Sequence, residues 1–189
     1  MKVKMVSEVG KLILHFELEE MDNPKPSENF QMGSNIVTTI FPDDLDINSI
    51  HPDLLGLSCI LICEPFIGKE ITLPKPVSKK FFEGHSKVTS RYKIKNVDEK
   101  LIPRRVKDNF SPGLAFSGGV DSTAALSIMP HSTIPVFMDR PLTGSSLYNK
   151  DAAYRSCLEV SRLGYDMKII ESDLEYVRDP VGFPVDVAN

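Results

Sequence analysis

Apolar and polar positions change rhythm several times along the chain, and each change marks an element. From Val9 to Leu18 the two kinds of residue alternate over part of the length, which predicts a strand closed by the Pro-rich loop Asp22 to Pro26. Asn35 to Phe41 is rich in β-branched residues and stops at Pro42, predicting a second strand. Leu54 to Cys63 is almost uniformly apolar, and periodicity there leaves strand and buried helix both open. Ile71 to Leu73 gives way to a Pro- and Lys-rich run. The region before Lys75 reads as a small α+β unit without a chemical signature. Lys75 to Pro112 reads as a basic connector, punctuated by Pro76, Pro103 and Pro112, with a short strand expected within Lys87 to Ile94.

A different rhythm begins at Gly113. Gly113 to Phe116 is a brief apolar strand and Ser117-Gly118-Gly119 is a turn. Asp121 to Met129 has helical composition and ends before Pro130. Thr133 to Met138 predicts the next strand, with Pro135 awkward for a central position. Asn149 to Leu163 predicts a helix with Gly164 as its C-terminal cap, and Tyr165 to Ile170 a third strand. Strands alternating with helices at such spacing predict an α/β fold: a Rossmann-like parallel sheet in the C-terminal half, residues 111–189, preceded by the small α+β N-terminal domain with its connector, residues 1–110.

Composition narrows the class. A chain of 189 residues with 41% hydrophobic and 25% charged residues is ordinary for a globular protein and excludes collagen-like and disordered classes. No run approaches the ~20 consecutive apolar residues of a membrane span, and Met1 to Glu20 interleaves charges with its hydrophobics, so a cytoplasmic protein without membrane contact is the expectation. The three cysteines, Cys59, Cys63 and Cys157, are odd in number and fit reduced thiols better than a disulfide framework. His15, His51, His85 and His131 share no ligand spacing. The net charge of −4 hides an asymmetry: Lys75 to Asp108 carries +7 and the remainder −11. That stretch suits a phosphate-rich partner such as RNA, or is simply a solvated surface. A homodimer stays open.

The chemistry concentrates at Ser117-Gly118-Gly119-Val120-Asp121-Ser122. A strand, a glycine turn and a helix start make an anion site, because the first helical turn has unpaired N–H groups and the positive end of the helix dipole, and glycine lets backbone approach an anion closely. The hydroxyls of Ser117 and Ser122 add donors. A carboxylate beside phosphates is repulsive, so Asp121 implies a bridging Mg²⁺ as its metal. The bland alternative is a plain strand-to-helix turn capped by Asp121 or Ser122. Five fixed residues in this string arise by chance with a probability on the order of one in several thousand at average abundances.

Leu114-Ala-Phe-Ser-Gly-Gly-Val-Asp-Ser-Thr123 resembles the signature of the PP-loop ATP pyrophosphatases, the adenine nucleotide alpha hydrolase-like group that includes GMP synthetase, NAD synthetase, asparagine synthetase and several tRNA-modifying enzymes. It is unlike a Walker loop, since no Gly-Lys-Ser/Thr follows. The resemblance spans about Gly113 to Ile170, and its specificity lies in the hexapeptide and preceding strand. It implies ATP and Mg²⁺ as cofactors and attack of a substrate oxygen on the α-phosphate, giving an adenylate and pyrophosphate. Ser117, Gly118, Gly119, Asp121 and Ser122 would then hold the β- and γ-phosphates. Backbone around Ala115, Phe116 and Val120, together with the strand end from Phe137 to Asp139, would surround the nucleotide. Sheets of this group have more strands than this segment supplies, so the sheet is either incomplete or completed by other means. Their second basic residue comes from later segments; here Arg140 and Lys150 are candidates.

Three functions are thus in play. The first is an AMP-forming ligase, amidotransferase or transferase acting on an unidentified small molecule or RNA. The second is a non-catalytic nucleotide-binding module that keeps the loop. The third is a structural protein with a capped turn. The resemblance implies a catalytic cysteine pair in many sulfur-inserting members, and Cys157 stands alone on its predicted helix, which disfavours sulfur insertion. The tail from Asp173 to Asp186 is rich in turn signals and suits a substrate loop.

Overall fold

The structure, a computed structural model, describes residues 1–42, 45–106, 109–141 and 149–179. Its main sheet has six strands. They are β1 (Lys2–Glu8), β2 (Lys11–Glu17), β3 (Ile36–Ile40), β4 (Gly113–Ala115), β5 (Ile134–Asp139) and β6 (Lys168–Ser172). The spatial order is β1-β2-β3-β6-β5-β4. Four α-helices occur among the described residues: α1 (Pro52–Cys63), α2 (Lys79–Val88), α3 (Val120–Ile128) and α4 (Lys150–Arg162).

The parallel Rossmann-like sheet expected for the C-terminal half is corrected. The sheet is mixed, and three of its five strand pairings are antiparallel: β1 with β2, β2 with β3, and β3 with β6. Only β6–β5 and β5–β4 are parallel. The reason lies in the N-terminal segments. In β2 every second residue is buried, the half-covered pattern of an antiparallel strand. Gly10, at φ 66°, closes a hairpin with β1 that is too short for a parallel crossover. The doubly wound arrangement also needs helices on both faces. Here Phe116 and Phe137 share one apolar cluster with Leu126 of α3 and with Ala153, Cys157 and Val160 of α4, so both helices cover the same face of β4–β5–β6.

The other pairing partner of β6 is β3, from the N-terminal half. Glu171 pairs with Ile40 and Ser172 with Thr39. Just beyond, Thr38 N donates to Asp173 Oδ1 at 2.7 Å, Asp173 N donates to Thr38 O at 3.2 Å, and the Thr39 and Ser172 hydroxyls lie 3.0 Å apart. This seam completes the sheet that β4–β6 begin.

The larger core gathers Leu14, Phe16, Val37, Leu55, Cys59, Phe66, Val77 and Val177. The apolar run at Leu54 to Cys63 is resolved as helix. Twelve residues exceed a usual strand, Pro52 occupies a first-turn position, and His51 Nδ1 accepts from Asp53 N at 3.1 Å as the cap. The connector holds more order than its prolines suggest: Ser78 caps α2 by accepting from Phe81 N, and Asp53 accepts from both Ser78 N and Ser78 Oγ. The strand expected within Lys87 to Ile94 shrinks to Lys93–Ile94. Pro135 sits in β5 without breaking the ladder. Its neighbours Ile134 and Val136 make the hydrogen bonds to the β4 side, and pairing with β6 starts only at Val136.

The seam yields a stability prediction. Asp173→Ala leaves the Thr38 N–H without its carboxylate and is expected to cost about 1–3 kcal/mol, read as a lower urea midpoint. Asp173→Asn, which keeps an acceptor, is expected to recover most of it. Identical midpoints for all three proteins would refute the seam's importance.

Candidate functional site

β4 delivers the chain to the loop at its carboxyl end, where Phe116 N still donates to Val136 O at 2.8 Å. The backbone then turns through Gly118, at φ 76°. Glycine is required there twice over. The left-handed conformation disfavours other residues, and a Cβ would stand 3.0 Å from the Ala153 Cα and 3.2 Å from the Ser156 Cβ. Gly119 is the N-cap of α3, and no side chain caps that helix.

The capping alternative therefore has a definite outcome: neither Asp121 nor Ser122 acts as the N-cap. Ser122 Oγ instead donates to Gly119 O at 3.1 Å, as Thr123 Oγ1 does at 2.8 Å. Ser117 N reaches Ser122 Oγ at 3.3 Å and Gly119 N reaches Ser117 Oγ at 3.4 Å. Both contacts are near the upper limit for a hydrogen bond. An anionic oxygen, a stronger acceptor, can displace them.

The loop opens on a cleft of about 1030 Å³. Of the residues singled out in the sequence, Ala115, Phe116, Ser117, Gly118, Gly119, Asp121, Ser122 and Phe137 all line it. Phe116 and Phe137 are each 2% exposed and belong to the core, so they offer the cleft little beyond their main chain. Val120 and Asp139 do not line it: Val120 points to solvent at 85% exposed, and Asp139 is held from α4 by the Tyr154 hydroxyl and the Lys150 ammonium. Lys150 is thereby tied to Asp139. The face of β5 opposite Phe137 supplies an apolar wall, Val136 and Met138, joined by Leu174 from the turn after β6.

Sequence reasoning missed Glu175. It is 6% exposed, lines the same cleft, and accepts from Arg140 Nη1 at 2.6 Å. The only sequence signal was an acidic residue soon after a strand end, too common to single out. The tail proposed as a substrate loop contributes Leu174 and Glu175, while its residues from Pro180 onward lie outside the described ones.

Among the described residues no group of three or more His, Cys, Asp and Glu side chains is placed to hold a metal ion. Asp121 alone at the loop fits a different pattern, that of a Mg²⁺ held by one or two carboxylates with phosphate oxygens and water as the other ligands. The cysteines are free and buried. Burial pushes the Cys59 thiol up to about 12 and raises those of Cys63 and Cys157, so none is a poised nucleophile. Among the described residues no helix is long and apolar enough to cross a membrane. The basic stretch is partly neutralised, with Arg91 on Glu64 at 2.7 Å and Lys95 on Glu70 at 3.2 Å, while Lys79, Lys80 and Lys87 of α2 are exposed.

Set against known proteins, the chain matches no family model, no curated protein and no solved structure. The likeness to PP-loop proteins rests on the loop sequence alone.

Tyr154 gives the site a pH signature. Its hydrogen bond to the Asp139 carboxylate, reinforced by burial, pushes the phenol up to about 12, against about 10 for a free tyrosine. The neutral phenol is the stabilising form. Its contribution is complete below about 10 and is lost as pH rises through about 12. Tyr154→Phe is expected to flatten this part of the alkaline stability profile, followed as unfolding midpoint against pH. An unchanged profile would show that the Tyr154–Asp139 bond contributes nothing.

Proposed function

We propose that the chain binds ATP with Mg²⁺, seating the β- and γ-phosphates in the Ser117–Ser122 crook, and that an oxygen of a second substrate attacks the α-phosphate to give an adenylate and pyrophosphate. AMP leaves when a nucleophile then attacks the activated group. The observation that carries this reading is the uncapped, glycine-led start of α3 opening into a cleft of about 1030 Å³. A helix start without a side-chain cap has first-turn N–H groups that can donate to an anion.

Each part of the loop has a task in this reading. Gly118 brings backbone close to the phosphates, and the amides from Gly119 into the first turn donate to their oxygens. Ser117 and Ser122 exchange their long contacts for the nucleotide. The charged side chains lining the cleft, among the described residues, are Asp121, Glu175 and Arg140, so the cleft carries a net −1. Such a cleft repels a triphosphate. Mg²⁺, when bound, would offset that repulsion and neutralise the leaving pyrophosphate, with Asp121 as its protein ligand. Val136, Met138 and Leu174 offer the bound molecules an apolar wall.

A second reading, a nucleotide-binding module without catalysis, draws support from Lys150. Its ammonium is tied to Asp139, leaving Arg140 as the one cation that lines the cleft among the described residues. Under the first reading a phosphate-rich co-substrate such as RNA would meet the exposed lysines of α2.

Calorimetric titration with ATP is expected to show binding that depends on Mg²⁺. Gly118→Val is expected to abolish it, and Asp121→Ala to weaken it about tenfold or more, the loss of one charged interaction. Pyrophosphate release with candidate acids and amines then separates enzyme from binding module. ATP binding that survives Gly118→Val in a folded protein would dismiss the loop as its seat.

A further inference from the structure

The loop follows β4, and the carboxyl ends of the neighbouring parallel strands β5 and β6 lead into the same cleft. Arg140 follows β5, and Glu175 lies in the turn after β6. Arg140 Nη1 donates to Glu175 Oε1 at 2.6 Å, with the two side chains 25% and 9% exposed. The wall around them is apolar. Stability does not explain an ion pair in such a place, because desolvating both charges offsets much of their attraction and apolar residues of similar volume do as well. What the pair does supply is a guanidinium in a fixed orientation. Arg has five N–H donors in a rigid fork. Among the described residues Glu175 is its only partner, and Arg140 itself lines the cleft.

We propose that Arg140, oriented by Glu175, recognises an oxyanion group, carboxylate or phosphate, on the molecule that shares the cleft with the nucleotide. A guanidinium edge matches two oxygens of either group in a bidentate pair, which an ammonium cannot reproduce. The inference rests on the loop being the seat of the nucleotide's phosphates, with Arg140 one strand away and Glu175 two strands away along the same cleft. At about 1030 Å³ the cleft lies at the upper end of the roughly 300–1,000 Å³ of small-molecule sites, with room for both molecules. Glu175 cancels the charge of Arg140, so recognition works through directed donors at contact distance and not through long-range attraction. Binding at this point is therefore only weakly dependent on salt.

The test is calorimetry on the full chain without nucleotide, using succinate and inorganic phosphate as probes, at low and high salt. One probe is expected to bind, and which one tells carboxylate from phosphate. Arg140→Ala is expected to weaken that binding by about tenfold or more, the loss of charge-assisted hydrogen bonds, and Arg140→Lys to weaken it severalfold. Glu175→Gln, which frees the cation, is expected to retain or tighten binding and to steepen its salt dependence. Because the loop is itself proposed to take phosphate oxygens, the titrations are repeated in a folded Gly118→Val background, where the loss caused by Arg140→Ala is expected to persist. The proposal is overturned if neither probe binds at millimolar concentration, or if the folded Arg140 variants bind as the parent does. It is also overturned if the Arg140 and Glu175 variants lower only the melting temperature, the behaviour of a structural clamp. Should ATP fail to bind while Arg140-dependent oxyanion binding persists, the loop reading falls and the recognition point stands.

Discussion

Two residue pairs, Glu171 with Ile40 and Ser172 with Thr39, hold the sheet together across its middle. On one side the strands run antiparallel and carry the larger core. On the other they run parallel, alternate with helices, and end at the cleft. Neither part has an edge suited to water at this seam, since β6 would otherwise present unpaired N–H and C=O groups next to the site. The carboxylate of Asp173, bonded to the Thr38 amide, extends the join by one more residue. That same stretch of chain leads directly into Glu175, so the pairing that closes the sheet also fixes one wall of the cleft.

The loop is shaped from outside as much as by its own sequence. Gly118 turns where α4 passes closest, and Ser156 Oγ lies 3.4 Å from the Gly118 carbonyl oxygen. α4 is in turn anchored at its start, where Asn149 caps it and Tyr154 and Lys150 hold Asp139 at the end of β5. Asp139 is thus best understood as a brace. It ties the end of β5 to α4, the helix that Gly118 packs against.

Much of the C-terminal half was legible because each element there carries its own punctuation: the Gly-Gly turn, Pro130, Asn149 as cap, Gly164 at φ 87°. The loop residues converge on one cleft because they are contiguous. Topology was not legible. Nothing in the sequence of β6 says that its second neighbour is β3 and not a later parallel strand, since that choice depends on contacts between residues more than a hundred positions apart. No strand was expected before Val9, although Lys2 and Lys4 are the outward positions of an alternating strand. α2 was hidden by a basic composition whose amphipathic face, Phe81 and Phe82 against the core, is short. Glu175 was invisible because a partner is defined only once Arg140 has a place.

The three thiols divide between the two cores: Cys59 and Cys63 belong to the larger one and Cys157 to the smaller. Each reacts only when its own surroundings open, so the rates at which a thiol reagent modifies them form two independent clocks for opening fluctuations. If the seam makes one cooperative unit of the molecule, the clocks keep the same time. If the cleft-bearing part breathes by itself, as ligand sites commonly do, Cys157 runs ahead.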